Sequence, residues 1–146
     1  MPLIWIALGL VAWESFWWDA RRTKRLNAYT RASTYAKAIG RPLVVIGAPD
    51  GGFTSGYGCG DITVDIAGSC CPNTAKLDIT TRLPFADDSV CCITMCTLEY
   101  VNNVESALRE IGRISGGHAF FVGVEPWTLA AYLYPGARRT LPSRYR

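Results

Sequence analysis

The pattern of hydrophobic and polar positions divides the chain into an apolar beginning, a basic stretch and a longer part in which short apolar runs alternate with polar loops. Residues 2–18 are apolar except for Glu14 and Ser15. The basic stretch that follows continues as a helix, and Arg41-Pro42 should end it because the residue before a proline leaves the helical region. The first 41 residues therefore predict one apolar and one basic helical segment.

The part after residue 42 has the pattern of an α/β protein. Apolar or β-branched runs predict strands at residues 43–46, 61–66, 75–79, 90–97 and 118–124. A helix should begin at Asn102, where Glu105 completes a pattern similar to a capping box, and should stop at Gly116-Gly117. A further short helix is expected at residues 128–134. This order predicts a mostly parallel sheet of about five strands, with ligand sites beyond the carboxyl ends of the strands.

Within that sheet, the run at residues 90–97 should be the central strand, because a largely apolar run is typical of a strand buried on both faces. The run at residues 118–124 should pair beside it, since a strand, a helix and the next strand form a parallel unit.

The N-terminal segment resembles a membrane anchor. Its seventeen residues would span roughly 25 Å as a helix, the short end of what crosses a bilayer. Trp13, Trp17 and Trp18 cluster at one end, where indole rings favour the headgroup level, and lysine and arginine follow. Three interpretations stay open: a spanning anchor, an interfacial or partner-bound helix, and a soluble core helix. Glu14 favours the last two because a carboxylate inside lipid is costly unless it is paired.

Composition and charge narrow the classes of function. With 146 residues the chain fits one domain, and 49% hydrophobic against 18% charged residues excludes a mainly disordered protein. Residues 19–41 contain one acid and seven lysine or arginine residues, whereas residues 42–146 contain more acids than bases. The basic cluster thus lies next to the apolar segment, which favours anionic lipid as a partner over nucleic acid. By the positive-inside rule, the C-terminal domain should face the cytoplasm.

The cysteines and the histidine offer little chemistry. Cys91, Cys92 and Cys96 belong to an apolar run, and neighbours on a strand point to opposite faces, so Cys91 and Cys92 make a poor disulfide or metal pair. No C-x-x-C motif occurs and His118 is the single histidine, so no metal site is expected. Buried free cysteines fit a reducing cytoplasm. His118 could be a turn or core residue or a general base.

Five short motifs in the second half of the chain follow one another at a characteristic spacing. They are Leu83-Pro84-Phe85, Asp87-Asp88, Leu98-Glu99-Tyr100-Val101, Ala107-Leu108-Arg109-Glu110 and Gly116-Gly117. In order and spacing they resemble the class I S-adenosylmethionine-dependent methyltransferases of the type-11 kind. The resemblance covers residues 42–127 and implies a Rossmann-like sheet with S-adenosylmethionine as the cofactor. Glu99, in the third motif, could equally be a helix-start carboxylate.

The resemblance also implies cofactor-binding residues. Gly47 and Gly51 would belong to the glycine loop after the first strand. Asp65 would match the acid that binds the ribose hydroxyls, and Asp78 the acid that meets the adenine amino group. The resemblance identifies no catalytic residue.

The chain departs from the family pattern in the cofactor loop. Val45 stands where the family has an acid, and Pro49 replaces the middle glycine, which removes a backbone donor. The helix that usually follows this loop is not expected here, and few residues remain after the last predicted strand for the family's final strand pair. The resemblance is therefore to a degenerate and truncated methyltransferase.

Together these observations predict an α/β fold, a truncated Rossmann-like methyltransferase sheet preceded by an N-terminal membrane-anchor helix. We expect an anchor at residues 1–18, a basic juxtamembrane helix at 19–41, the methyltransferase-like domain at 42–134 and a basic tail at 135–146. The expected function is that of an inactive structural or assembly subunit of a membrane complex, with membrane lipid and proteins as partners and no bound cofactor. The alternative is an active S-adenosylmethionine-dependent methyltransferase whose substrate is a small or lipid-associated molecule at the membrane.

Overall fold

The computed structural model describes residues 2–47 and 58–123, and these form an α/β fold. Its elements are α1 (Pro2–Ala38), β1 (Leu43–Ile46), β2 (Ile62–Val64), β3 (Thr74–Ala75), β4 (Cys91–Met95), α2 (Val104–Ser115) and β5 (Ala119–Val122). The five strands are parallel and lie in the order β3-β2-β1-β4-β5. The predicted five-stranded parallel sheet is therefore confirmed, while the helix expected at 128–134 and the tail at 135–146 lie outside the described residues.

The middle of the sheet is apolar on both faces. Every residue of β1 and β4 is buried, which a parallel strand requires when helices cover both sides of the sheet. β4 lies between β1 and β5, which confirms the buried position and the neighbour expected for the run at residues 90–97, whereas the central strand of the five is β1. β3 shares only Ala75 with the predicted run at 75–79, and the chain turns at Asp78.

Helix α2 covers one face of this sheet. The side chain of Asn103 accepts a hydrogen bond from the Ser106 amide at the start of the helix, and Gly116 ends it in the left-handed conformation with φ 59°. The cap lies one residue later than predicted, so Glu105 does not occupy the capping-box position. Leu108 and Ile111 belong to the buried stripe that packs against the sheet.

Helix α1 covers the opposite face with its last turns. Ala28, Ala32 and Ala36 recur every four residues and pack against side chains of β1, β4 and β5. Ala32 and Ala36 are fully buried, and such small side chains let the helix lie close to the sheet. The segment predicted as a juxtamembrane helix at 19–41 therefore contains the layer that covers one side of the sheet.

Helix α1 runs antiparallel to the strands. Tyr35 contacts the rings of His118 and Phe120 near the amino end of β5, whereas Arg25 lies beside Cys96 after the carboxyl end of β4. The helix has 37 residues and a length of about 55 Å, so its first half extends past the carboxyl edge of the sheet.

The extending half of α1 carries most of the exposed large apolar side chains among the described residues. Leu3, Trp5 and Phe16 are 79%, 74% and 67% exposed. Within residues 2–47 and 58–123, no helix combines the length and apolar character that crossing a membrane requires. The spanning form of the predicted anchor is therefore not supported, since Glu14 and Asp19 shorten the apolar stretch.

Candidate functional site

Three of the four predicted cofactor-binding residues lie along one edge of the sheet. Gly47 directly follows β1, Asp65 directly follows β2, and Asp78 lies three residues after β3. Because these strands are parallel neighbours, their carboxyl ends form one edge, which is where α/β proteins bind ligands. Gly51 lies outside the described residues.

Gly47 must be a glycine because of a neighbouring side chain. Its φ is 94°, and its amide donates to the Val64 carbonyl at 2.8 Å, which ties β1 to β2. A Cβ at this position would lie 1.8 Å from Oγ1 of Thr97. That hydroxyl lies 3.1 Å from the carbonyl oxygens of Ile46 and Met95, between which its single proton is shared. The Thr97 hydroxyl therefore occupies the space beside Gly47. No sequence signal identified Thr97.

Asp65 forms the turn that follows β2. Its Oδ1 accepts hydrogen bonds from the amides of Ala67 at 2.8 Å and Gly68 at 2.9 Å. This is the turn that aspartate commonly makes with its own backbone. Its second oxygen, Oδ2, makes no hydrogen bond to the described residues, so the half-buried carboxylate keeps one acceptor for another group.

Asp78 has a similar local role after β3. Its Oδ1 accepts from the backbone amide of Thr80 at 2.8 Å and from the Thr80 hydroxyl at 2.7 Å. These two hydrogen bonds hold the pKa of the Asp78 carboxyl below its usual value. The amide and the hydroxyl of Thr81 both donate to the Asp78 carbonyl oxygen, so the side chain and the backbone of Asp78 both stabilise the turn.

Val45, at the position where the resemblance would place an acid, is fully buried. It packs with Cys91 and Ile93 in the layer beneath α1. The position therefore contributes to the core and offers no acceptor to a ligand.

A disulfide joins the two loops that flank β2. Cys59 pairs with Cys71, with their Cα atoms 5.6 Å apart, and the Cys59 carbonyl accepts a hydrogen bond from the Tyr29 hydroxyl at 2.7 Å. Gly60 lies so close to the backbone that a Cβ would be 2.6 Å from the Leu43 carbonyl oxygen. The sequence did not predict this bridge, because nothing in it indicates that the two loops meet. A disulfide is more typical of an oxidising compartment than of the reducing cytoplasm that the buried cysteines suggested.

The remaining cysteines are free thiols, as expected for Cys91 and Cys92 in the buried strand. Burial raises the pKa of Cys92 to about 12, and burial also raises the pKa of Cys91 and Cys96. A buried thiol that stays protonated is a poor nucleophile. Cys70 is exposed and lies next to the disulfide in the sequence.

His118 and Glu99 lie at opposite edges of the sheet. Nδ1 of His118 is 2.7 Å from the Tyr35 hydroxyl at the amino edge, away from the candidate site. Glu99 is 3% exposed and lies at the carboxyl edge, where its Oε1 would be 3.0 Å from a Cβ on Gly123. Since α2 begins at Val104, Glu99 is not in the first turn of that helix.

Other features that could hold a ligand do not coincide with this edge. In the described ranges, no three His, Cys, Asp or Glu side chains are grouped so that they could bind a metal ion. A cavity of 210 Å³ lies between the end of α1 and the start of β1, with Lys37, Arg41 and Asp61 in its wall. It is at the amino side of the sheet and so is separate from Gly47 and Asp65.

Comparisons of this chain with protein-family models, with curated proteins and with solved structures found no match. The likeness to methyltransferases therefore depends on the motifs and on the strand-end positions described above.

Proposed function

We propose that this protein is a catalytically inactive, methyltransferase-like subunit with a structural or assembly role at a membrane surface. The observation that carries the proposal is the contact between Thr97 and Gly47. In the family it resembles, glycines at this position leave the backbone open to the cofactor. Here a side chain of the protein fills that space, and the hydrogen bonds of the strand ends are made within the protein.

The other residues of the edge support the same conclusion. Val45 supplies no acceptor, and Asp65 and Asp78 each use one carboxylate oxygen in a turn. A lost hydrogen bond costs roughly 0.5–1.5 kcal/mol, and more where a charged group is involved. Val45 offers no acceptor and Pro49 no backbone donor, and two such losses would weaken binding on the order of 10-fold or more, which supports a weak or absent cofactor site.

Membrane association is proposed from the N-terminal half of α1. Its apolar side chains are exposed, and Arg22 and Lys24 follow them on the same helix. Apolar residues next to a basic cluster favour a surface of anionic lipid. With the chain attached there, the α/β domain would present its other surfaces to protein partners.

An active methyltransferase at the membrane remains the second candidate, because of one observation. The strand order places Asp65 and Asp78 on neighbouring strand ends, and Oδ2 of Asp65 makes no bond to the described residues. A ribose hydroxyl could donate to that oxygen.

Titration calorimetry of the full chain with S-adenosylmethionine separates the two candidates. We expect no binding at submillimolar concentration, both for the natural chain and for Asp65→Asn. The asparagine keeps an oxygen for the Ala67 and Gly68 amides, so the turn is preserved while the charge is removed. Micromolar binding that Asp65→Asn or Asp65→Ala abolishes would reject the structural role and favour the enzyme.

A further inference from the structure

The direction of α1 determines which edge of the sheet lies next to the exposed apolar half of the helix. The helix runs antiparallel to the strands, so its exposed apolar half leaves the domain at the carboxyl edge of the sheet. Outside α1, the large apolar side chains that are exposed in the described ranges are Ile66, at 72%, and Tyr100, at 49%. Ile66 follows β2 and Tyr100 follows β4, so both lie at that same edge. Two separate parts of the chain thus place apolar groups on one side of the molecule.

The opposite edge is polar. Asp87 and Asp88 precede β4 there and are exposed, and Arg41 forms an ion pair with Asp88. The Asp87 and Asp88 carboxyls are ionised at neutral pH, and the hydrogen bond from Arg41 lowers the pKa of Asp88 further. The carboxyl edge therefore differs in carrying the exposed side chains of Ile66 and Tyr100, beside the carboxylates of Asp65 and Asp78.

The apolar part of α1 has the length of one leaflet. Every described residue from Leu3 to Trp13 is exposed, and none carries a charge. A helix is buried when it is apolar on all sides, so these residues need an apolar environment around the whole helix. Eleven residues extend about 16 Å, close to half of a hydrocarbon core of about 30 Å.

The residues after this stretch match the boundary of a leaflet. Trp13 and Trp17 have their ring centroids 5.6 Å apart, and indole rings favour the interface between lipid tails and headgroups. Glu14 lies between them and must stay near that interface because a carboxylate in the hydrocarbon is costly. Arg22 and Lys24 follow on the side of the domain, where they can attract anionic headgroups.

We infer that α1 inserts by residues 3–13 into a single leaflet of an anionic membrane, with the carboxyl edge of the sheet facing the lipid. This inference rests on the proposed membrane association and adds its depth and orientation. About 16 Å of helix separates Glu14 from Arg25, so a tilted helix brings Ile66 and Tyr100 to the headgroup layer. Any molecule bound at Asp65 would then approach from the membrane surface.

The lipid requirement is tested with vesicles of phosphatidylcholine alone and of phosphatidylcholine and phosphatidylserine in equal amounts. We expect the full chain to bind the anionic vesicles on the order of 100-fold more tightly, and added salt to reduce the difference. The double variant Arg22→Gln/Lys24→Gln should lose most of this preference. Arg109→Gln, an exposed change on α2, is the matched control and should bind as the natural chain does.

Depth and orientation are tested with an environment-sensitive fluorophore on single cysteines introduced after Cys70→Ser. The labelled positions are Ile6→Cys in the apolar stretch, Ile66→Cys at the carboxyl edge and Gly112→Cys near the end of α2, where a Cβ meets no atom within 4 Å. On vesicle binding, the label at position 6 should become inaccessible to iodide from either side of the membrane. The label at 66 should be partly shielded, and the label at 112 should not change.

The inference would be overturned if iodide still reached the label at position 6 after vesicle binding, or if iodide inside the vesicles reached it. It would also be overturned if the label at 112 were shielded in place of the label at 66, or if the label at position 6 were already shielded in buffer without lipid. The last would show that a second copy or another segment of this chain covers the helix. S-adenosylmethionine titration of the same preparation reports separately on the proposed loss of cofactor binding, so either idea can fail alone.

Discussion

At the scale of single residues, the carboxyl edge of the sheet is defined by groups that bond to their own neighbours. The Thr97 hydroxyl bonds to the carbonyls of Ile46 and Met95, and Asp65 and Asp78 cap the turns that follow their strands. Polar groups near a buried sheet must be paired, because an unpaired one costs more than a hydrogen bond returns. The same pairing that stabilises the edge leaves few acceptors for a ligand.

Replacing Gly47 by alanine should destabilise the fold by about 2–4 kcal/mol. The cost combines a positive φ, which alanine tolerates poorly, with overpacking against Thr97. Urea unfolding followed by circular dichroism measures it. Gly112→Ala is the matched control: it lies in α2 with nothing within 4 Å of a Cβ, and should gain about 0.5–1 kcal/mol. Equal effects of the two changes would show that Thr97 does not restrict position 47.

The sequence placed Gly47 and Asp65 at the ends of β1 and β2, because strand boundaries follow from local apolar runs, whereas Asp78 was expected inside a strand and lies in a turn three residues after β3. It did not reveal how these residues are bonded. Thr97 is 50 residues from Gly47 in the chain, and the two meet because β1 and β4 pair in the sheet. Contacts of this kind depend on strand order, which no local pattern encodes.

At the scale of elements, α2 fixes the loop before β4 through one arginine. Arg113 donates to the carbonyls of Leu83 at 3.1 Å and Phe85 at 2.9 Å and pairs with Glu110 and Asp87. Glu110 in turn accepts from the Leu83 amide at 2.7 Å. The helix and the loop that carries the Leu83-Pro84-Phe85 motif therefore form one unit.

Loss of the Arg113 contacts should change the acid sensitivity of the protein. Hydrogen bonding to Arg113 is the main cause that lowers the pKa of Glu110 in the folded state. A carboxyl whose pKa is lower in the folded than in the unfolded state stabilises the fold above its unfolded value of about 4.3. That contribution is lost as the pH falls through the folded-state value. At neutral pH, the urea midpoint of Arg113→Ala should therefore be lower than that of the natural chain. As the pH falls, the midpoint of Arg113→Ala should decrease less steeply than that of the natural chain.

Arg109→Ala is the control for this measurement, because Arg109 is exposed on the same helix. It should keep the acid dependence of the natural chain. Parallel curves for the natural chain and Arg113→Ala would contradict the assignment of Glu110 as the group that Arg113 stabilises.

Element by element, strands were easier to predict than the role of α1. The runs that form β1 and β4 are continuous and apolar, and such runs are typical of strands that are buried on both faces of a parallel sheet. The buried stripe of α1 consists of alanines among lysines and arginines, and alanine gives a weak apolar signal. The basic residues therefore suggested a solvated helix, whereas the alanines show where it packs.

At the scale of the whole molecule, helix α1 has two different parts along its length. Its last turns complete the core with Ala32 and Ala36, and its first half extends beyond the sheet with exposed apolar side chains. The core function depends on residues 28–39, and the proposed membrane function depends on residues 3–13. Because the two sets do not overlap, they can be separated by truncation.

A chain that begins at Arg22 should fold and remain monomeric, whereas a chain that begins at Gly40 should aggregate. The first keeps Ala32 and Ala36 on the sheet, while the second exposes the apolar face that includes Val45 and Ile93. Size-exclusion chromatography with light scattering, together with thermal unfolding, distinguishes the two. The chain that begins at Arg22 lacks residues 3–13, so it should also lose binding to anionic vesicles while its unfolding transition stays cooperative. If the chain from Gly40 is instead monomeric and as stable as the chain from Arg22, the packing of α1 is not needed for the fold.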